Sequence, residues 1–232
     1  MVGIGFVQNL SLIITLVLAY FISVIPAGFF QAWVAKKMGD PTAAQLGFLS
    51  LHPMVYVDPF GLFLLIVLRM LGGGIVVWGR TVPMSRHNIP KNSMFAFAYL
   101  SNVIAHIVIA TVSLVGLVLL FGPKILMVGG LGTAASLKAL FPEKSALVIS
   151  LGVVLSVVFA LNIATAAFWL IFRVVYLVFM IAFNVPHEYF VGPTPLFVML
   201  ALWILIGPFV SMGIYWGVSY IGILISHVLG AV

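Results

Sequence analysis

The stretch from Val24 to Gly61, which reads VIPAGFFQAWVAKKMGDPTAAQLGFLSLHPMVYVDPFG, decides the fold of this chain. It begins as an apolar helix and continues as a polar, turn-rich segment. Gly39 predicts a left-handed C-terminal cap, two lysines just before it suit the negative end of the helix dipole, and Pro41 prevents continuation. The sequence therefore predicts a long helix that ends just before Gly39.

The composition places the whole chain in a membrane. Of its 232 residues, 64% are hydrophobic and 6% are charged, and the mean hydropathy is +1.33. A soluble domain has about 25% charged residues. The chain is therefore predicted to be one integral membrane domain over residues 1–232, with the lipid bilayer as its first partner.

Charge and cysteine content exclude several kinds of site. There is no cysteine, so thiolate metal sites, disulfides and cysteine nucleophiles are excluded. The net charge of +6 comes from ten basic and four acidic residues, nearly all of them between the apolar runs. This pattern is typical of loops that lie against anionic headgroups, and it does not favour a nucleic-acid partner.

The apolar runs predict an all-α polytopic membrane protein with about five to six transmembrane or re-entrant helices. Pro26 is expected to kink or break the first run, and Gly207-Pro208 is expected to break the last. Gly213 and Gly217 are spaced for close helix approach. The runs are residues 6–38, 60–78, 94–121, 146–183 and 196–229.

The second run has basic residues on both sides, Lys36 and Lys37 before it and Arg80, Arg86 and Lys91 after it. A simple spanning helix would place one of these groups on the non-cytoplasmic side, against the usual charge bias. A re-entrant or tilted segment removes the conflict. The sequence therefore favours a re-entrant or tilted segment over a simple spanning helix.

The opening stretch also resembles a known family. QAWVAKKMGDPTA and LSLHPMVYVDPFG resemble the flanks of the first catalytic segment of the site-2 proteases, the intramembrane zinc metalloproteases. The Val-Pro loop in residues 79–92 and Asn102 in AYLSNVIAHIVIA resemble later segments of that family, in the same order. The resemblance implies a protease-like core over about residues 20–183, followed by C-terminal helices over residues 195–229. It also implies a short membrane-associated β hairpin after the first long helix and a bacterial or archaeal cytoplasmic membrane.

The catalytic chemistry of that family is absent from the matching positions. Its HExxH motif places two zinc-binding histidines four residues apart on one helix face, with a glutamate as general base. The corresponding residues here are Ala27, Gly28 and Gln31. Alanine has no donor atom, glycine cannot take a proton, and a neutral amide oxygen is a poor zinc ligand. The family's third ligand, an aspartate, has no counterpart and would fall near Leu177.

Four polar residues are candidates for a cleft that binds a partner: Gln31, Asp58, Asn102 and His106. Each has a simpler interpretation. Asp58, like His52, is typical of a turn or helix cap, and Asn102 and His106 share a helix face, where interhelical hydrogen bonds are common.

Two residues of the fourth apolar run lie eleven positions apart, Asn162 and Arg173. Eleven residues are three helical turns, so both lie on one stripe of the helix. This stripe is expected to pack against protein, because a charged residue within the membrane is costly when it faces lipid. Asn162 also fits an asparagine of the resembled family.

The leading hypothesis is a catalytically inactive site-2-protease-like protein, a pseudoprotease without metal or cofactor. It would be a scaffold, adaptor or subunit that binds the membrane segment of a partner protein or of a larger complex.

Two alternatives remain open. An active intramembrane metalloprotease would need relocated ligands, and no two histidines of the chain are spaced as in HExxH. A small membrane transporter or channel would use broken helices at Pro26 and Gly207-Pro208 together with Arg69 and Arg173. The histidines are His52, His87, His106, His187 and His227.

Overall fold

Helices form nearly all of the architecture. The computed structural model describes residues 2–70, 77–128, 132–183 and 193–228, and within these ranges it contains no β-strand. The α-helices are α1 Val2–Lys37, α2 Thr42–Gln45, α3 Pro53–Tyr56, α4 Pro59–Met70, α5 Asn92–Phe121, α6 Ala134–Leu140, α7 Ala146–Phe183 and α8 Pro193–Val228. Two 3₁₀ helices, Arg86–Asn88 and Pro123–Val128, complete the described elements.

Four helices of the described chain are long and apolar enough to cross a membrane. The candidate spans are Leu10–Lys37, Asn92–Phe121, Ala146–Val178 and Ile204–Leu224. α4 has 12 residues, and at 1.5 Å per residue it is about 18 Å long, too short for a hydrocarbon core of about 30 Å. The prediction of an all-helical membrane protein is confirmed, with four candidate spans and one shorter apolar helix in the described part.

The end of α1 follows the sequence prediction. The helix ends at Lys37, and Gly39 has φ of 108°, a left-handed conformation that glycine adopts without steric cost. The break predicted at Gly207-Pro208 is wrong, because α8 continues through Pro208. α1 continues through Pro26 without a break, and the alternative of a kink there stays a prediction. Each proline removes one backbone donor, which a long membrane helix tolerates.

α1, α5 and α7 form the core of the bundle. At one end Val34, Phe95 and Leu177 share a buried cluster. Toward the other end of α5 and α7, Leu117 and Ile149 belong to a second cluster. These contacts make α1 and α7 parallel to each other and antiparallel to α5.

α8 lies at the periphery. Gly222 approaches the second 3₁₀ helix so closely that a Cβ there would lie 2.5 Å from the Leu126 Cβ. By contrast, a Cβ at Gly213 or Gly217 would have no described atom within 4 Å. The close approach predicted at these two glycines is therefore not made within the described chain, and Gly222 makes one instead.

The β hairpin expected after the first long helix is not confirmed. All of residues 40–58 are described, and they contain α2 and α3 but no strand. Pro41 is the N-cap of α2, and Pro53 is at the first position of α3. Proline favours the start of a helix, because its missing N–H has no partner there. A backbone hydrogen bond from the Arg80 N–H to the Tyr56 carbonyl, at 2.8 Å, joins this segment to the chain that returns after α4.

The segment that contains α4 begins near Gly61 and returns to the same region at Trp78. A Cβ at Gly61 would lie 2.0 Å from the Trp78 carbonyl oxygen, so only glycine allows this approach. The Tyr20 hydroxyl of α1 donates to the Trp78 carbonyl at 3.0 Å and accepts from the Asp58 N–H at 3.1 Å. This geometry agrees with the predicted re-entrant segment. The Arg69 side chain and residues 71–76 lie outside the described part of the chain.

One end of the bundle, which we call the basic end, carries four basic residues. The Asp40 carboxylate, just after α1, accepts hydrogen bonds from the Ser85 N–H at 2.6 Å and from Asn88 Nδ2 at 2.8 Å. These bonds bring the chain before α5 to the end of α1. The residues that define the basic end are Lys36, Lys37, Arg86 and Lys91.

Candidate functional site

Of the two positions that the resemblance sets against the first motif residues, Gly28 is closed by an aromatic ring and Ala27 is buried. Ala27 is fully buried. A Cβ at Gly28 would lie 2.3 Å from Cδ1 of Tyr56, so the tyrosine ring occupies the space where a glutamate side chain would start. The Tyr56 hydroxyl donates to the Phe48 carbonyl, and burial raises its pKa to about 12. The neutral Tyr56 side chain is therefore held against α1 by the hydrogen bond of its hydroxyl.

The other two positions that the resemblance assigns to the site, Gln31 and Leu177, are both buried. Gln31 is 3% exposed, and its amide makes no hydrogen bond to the described residues. Leu177 packs in a cluster with Val34, which lies three residues after Gln31 on α1. The side chain at the expected third-ligand position thus contributes to apolar packing near the basic end.

A buried hydrogen-bond chain joins three spans near their middle. Asn162 of α7 donates from Nδ2 to Ser23 Oγ of α1 at 2.7 Å and to the Val158 carbonyl at 2.8 Å. These two acceptors fix the amide, so its Oδ1 faces His106 Nδ1 of α5 at 2.7 Å. Because Oδ1 can only accept, Nδ1 of His106 carries the proton. The Ser23 hydroxyl in turn donates to the Ala19 carbonyl at 2.6 Å.

His106 makes an interhelical hydrogen bond, which is the simpler interpretation that the sequence offered for it. Its partner is Asn162 of another helix, and the half-buried Asn102, one turn away, takes no part in the chain. The stripe prediction is confirmed, because Asn162 and Arg173 are 0% and 7% exposed.

The remaining cleft candidate is a helix cap. Asp58 Oδ1 accepts from the Phe60 N–H at 2.9 Å and from the Gly61 N–H at 3.3 Å, and these are first-turn donors of α4 that have no intrahelical partner. His52 is exposed and is the N-cap residue of α3 without a side-chain cap bond. No hydrogen bond joins any two of the four candidate side chains within the described ranges.

Asp40 is a residue whose role the sequence interpretation missed. Besides the bonds from Ser85 and Asn88, its carboxylate accepts from the Thr42 N–H at 3.1 Å and from the Thr42 hydroxyl at 2.5 Å. Burial raises the pKa of this carboxyl, but the hydrogen bonds from Asn88, Thr42 and Ser85 outweigh burial and hold it below its ordinary value. The Gly-Asp-Pro-Thr sequence could have predicted the local part of this network, because aspartate commonly binds the backbone two residues on.

The described residues contain no group of three or more histidine, cysteine, aspartate or glutamate side chains that could hold a metal. His52, His87 and His227 are exposed, whereas His106 is buried. His187 lies outside the described residues, together with Glu188.

Sequence comparison gives one partial similarity. A stretch of 82 residues is 38% identical to the protein named "Putative zinc metalloprotease YwhC" of Bacillus subtilis (strain 168). The match covers 35% of this chain. It also covers 35% of the relative, so the chain spans about a third of that protein. The comparison supports the metalloprotease resemblance over that stretch.

Two other comparisons gave nothing. No protein-family model matches the chain, and no solved structure matches it significantly.

Proposed function

We propose that this chain is a catalytically inactive, site-2-protease-like membrane protein that binds a membrane segment of a partner. It would act as a scaffold, adaptor or subunit of a larger membrane complex. Two points support the proposal: the resemblance sets Ala27, Gly28 and Gln31 against the HExxH positions, and the Tyr56 ring fills the space next to Gly28. Neither zinc binding nor proton abstraction can come from these side chains.

The region beside α1 supports a binding role. The chain from Phe48 to Asp58 is irregular apart from α3, and it runs beside α1 inside the length of its candidate span, since Tyr56 meets Gly28 and Asp58 meets Tyr20. Irregular backbone at membrane depth is tolerated where protein or water covers it, not lipid.

This segment exposes apolar side chains that a partner protein could bury. Leu51 and Met54 are 64% and 67% exposed. An extended or helical partner segment could bury both side chains and accept the hydrogen bonds of the irregular backbone.

Site-specific crosslinking in native membranes tests the binding role. We expect a photoreactive residue at Leu51 or Met54 to yield one discrete adduct whose peptide derives from a transmembrane or membrane-adjacent segment. The control is the same residue at Leu119, which is 81% exposed and lies near the opposite end of α5. Equal labelling at Leu51 and Leu119, or lipid adducts alone, would refute the binding role.

The similarity to a protein named as a zinc metalloprotease favours a second candidate, an active enzyme with relocated ligands. Metal analysis of the purified chain separates the two functions. Stoichiometric zinc, lost when histidines are replaced, together with cleavage of a membrane substrate would establish the enzyme and overturn the pseudoprotease proposal.

A further inference from the structure

Arg173 of α7 is a buried cation with an unused hydrogen-bonding edge. Its side chain is 7% exposed, and Nη1 donates to the Tyr99 carbonyl of α5. The guanidinium carbon lies 4.7 Å from the Tyr99 ring centroid and 5.2 Å from that of Trp169. Nε is buried and has no hydrogen-bond partner among the described residues. Within the described chain the one hydrogen bond of this side chain is the bond from Nη1. The Nε–Nη2 edge is the fork that binds carboxylate or phosphate with two parallel bonds.

The acidic residues of the described chain do not neutralise this charge. Asp40 is bound by the loop before α5, and Asp58 caps α4. Glu143 lies between α6 and α7, at the end of the bundle away from Arg173. A buried charge without a counter-ion is strongly unfavourable, so the fork requires an anion. Glu188, the remaining acidic residue, is outside the described part, and the experiment below includes it.

The fork lies below the basic end of the bundle. Tyr99 lies seven residues after the start of α5, and Arg173 lies ten residues before the end of α7 at Phe183. At 1.5 Å per residue these positions are about 10 Å and about 15 Å from the two helix ends, and the long side chain of an arginine can extend toward the interface.

The surroundings of the fork are also cationic. Phe95 stacks on Tyr99 with ring centroids 5.9 Å apart, and the Arg86 guanidinium carbon lies 5.6 Å from the Phe95 ring centroid. The stacked rings of Tyr99 and Phe95 thus have Arg173 on one side and Arg86 on the other. Lys91 lies nearby, at the N-terminus of α5. Basic pockets between membrane helices at the cytoplasmic side are suited to anionic lipid headgroups.

We propose that the Nε–Nη2 fork of Arg173 binds the phosphate of an anionic phospholipid near the basic end, where α5 and α7 meet. The lipid phosphate supplies the missing counter-ion, and its acyl chains lie along apolar residues that the two helices expose, including Phe97, Leu170 and Val174. This inference does not depend on the proposed function.

Native mass spectrometry of the full-length chain in detergent, with phosphatidylglycerol or phosphatidylcholine added at equal concentrations, tests the proposal. We expect one phosphatidylglycerol to be retained in preference to phosphatidylcholine. Arg173→Gln should weaken its binding about tenfold or more, because a charge-assisted bidentate pair is lost. Lys36→Gln removes the same charge at an exposed site of the same end and should change binding about twofold or less.

Further measurements identify the source of the anion. Arg173→Lys keeps the charge without the fork and should also lose the preference for phosphatidylglycerol. If Arg173→Gln does not fold, the wild-type titration decides alone, because equal retention of the two lipids would overturn the proposal. Stabilisation of the protein by inorganic phosphate, with no further effect of phosphatidylglycerol, would assign the fork to a free anion and overturn the lipid proposal.

Loss of the lipid preference in Lys36→Gln to the same extent as in Arg173→Gln would show that the binding depends on the overall charge of this end and not on the fork. Thermal destabilisation by Glu188→Gln equal to that by Arg173→Gln, with no lipid preference in the wild type, would show an ion pair within the chain.

Discussion

Replacing Gly28 with alanine tests the central contact of the candidate site. The added Cβ would lie 2.3 Å from Tyr56 Cδ1 and 2.6 Å from Cε1, well inside van der Waals contact. The Tyr56 ring cannot swing away freely, because it is buried and its hydroxyl is bonded to the Phe48 carbonyl. Overpacking of this kind costs about 1–3 kcal/mol, and the better helix propensity of alanine returns about 0.5–1 kcal/mol. We therefore expect Gly28→Ala to lower the free energy of unfolding by about 1–2 kcal/mol.

A double-mutant cycle assigns this cost to the ring. Tyr56→Leu should relieve most of the penalty of Gly28→Ala, whereas Tyr56→Phe should not, since the ring remains. Gly213→Ala is the matched control because no described atom lies within 4 Å of a Cβ there, and it should be neutral or slightly stabilising.

The assay is equilibrium unfolding of the purified chain in mixed micelles, followed by circular dichroism. Equal effects of Gly28→Ala and Gly213→Ala, or the same penalty in the Tyr56→Leu background, would refute the packing argument.

Three further predictions concern the motif helix and its neighbours. Asp40→Asn should destabilise the chain by about 1–3 kcal/mol, because an amide nitrogen would face a hydrogen-bond donor. In the wild type, the carboxyl pKa lies below its ordinary value of 3.8, so the stabilisation by Asp40 is present above about pH 4 and is lost as the pH falls through the lowered pKa. Unfolding curves between about pH 2 and pH 6 should show this loss. A pH dependence that is unchanged in Asp40→Asn would contradict it. Asn162→Leu removes the hydrogen bonds to Ser23 and His106 and should lower the free energy of unfolding by about 1–2 kcal/mol in the same micelle assay. No measurable change would show that these interhelical hydrogen bonds do not stabilise the protein. The triple variant Ala27→His, Gly28→Glu, Gln31→His should not cleave a membrane substrate supplied with zinc, and cleavage would show that a third ligand exists elsewhere.

The helical membrane architecture was predictable because it depends on properties that a single sequence carries. Apolar runs long enough to span and the stop signal at Gly39 are local features, and both are found in the structure. The re-entrant or tilted course of the segment that contains α4 stays a prediction from the charges on its two flanks. None of these conclusions requires knowledge of which residues meet across the bundle.

The errors came where distant residues decide the outcome. Tyr56 meets Gly28, and Asn162 meets Ser23 over 139 positions of sequence; no local pattern encodes either contact. Asn102 and His106 share a helix face, yet His106 takes its partner from α7. Prolines at the starts of α2 and α3 favoured short helices over the expected hairpin. The local cap formed by Asp58, in contrast, was predictable from its neighbours.

The hydrogen bond from the Val77 N–H to Thr165 Oγ1, at 2.8 Å, has a consequence for biosynthesis. The two residues are 88 positions apart, so a ribosome that adds about 5–20 residues per second completes Thr165 about 4–18 seconds after Val77. During that interval the returning limb after α4 lacks one of the partners that hold it inside the bundle. A nascent chain released before α7 emerges should therefore keep this limb accessible to proteases, and the arrival of α7 should protect it.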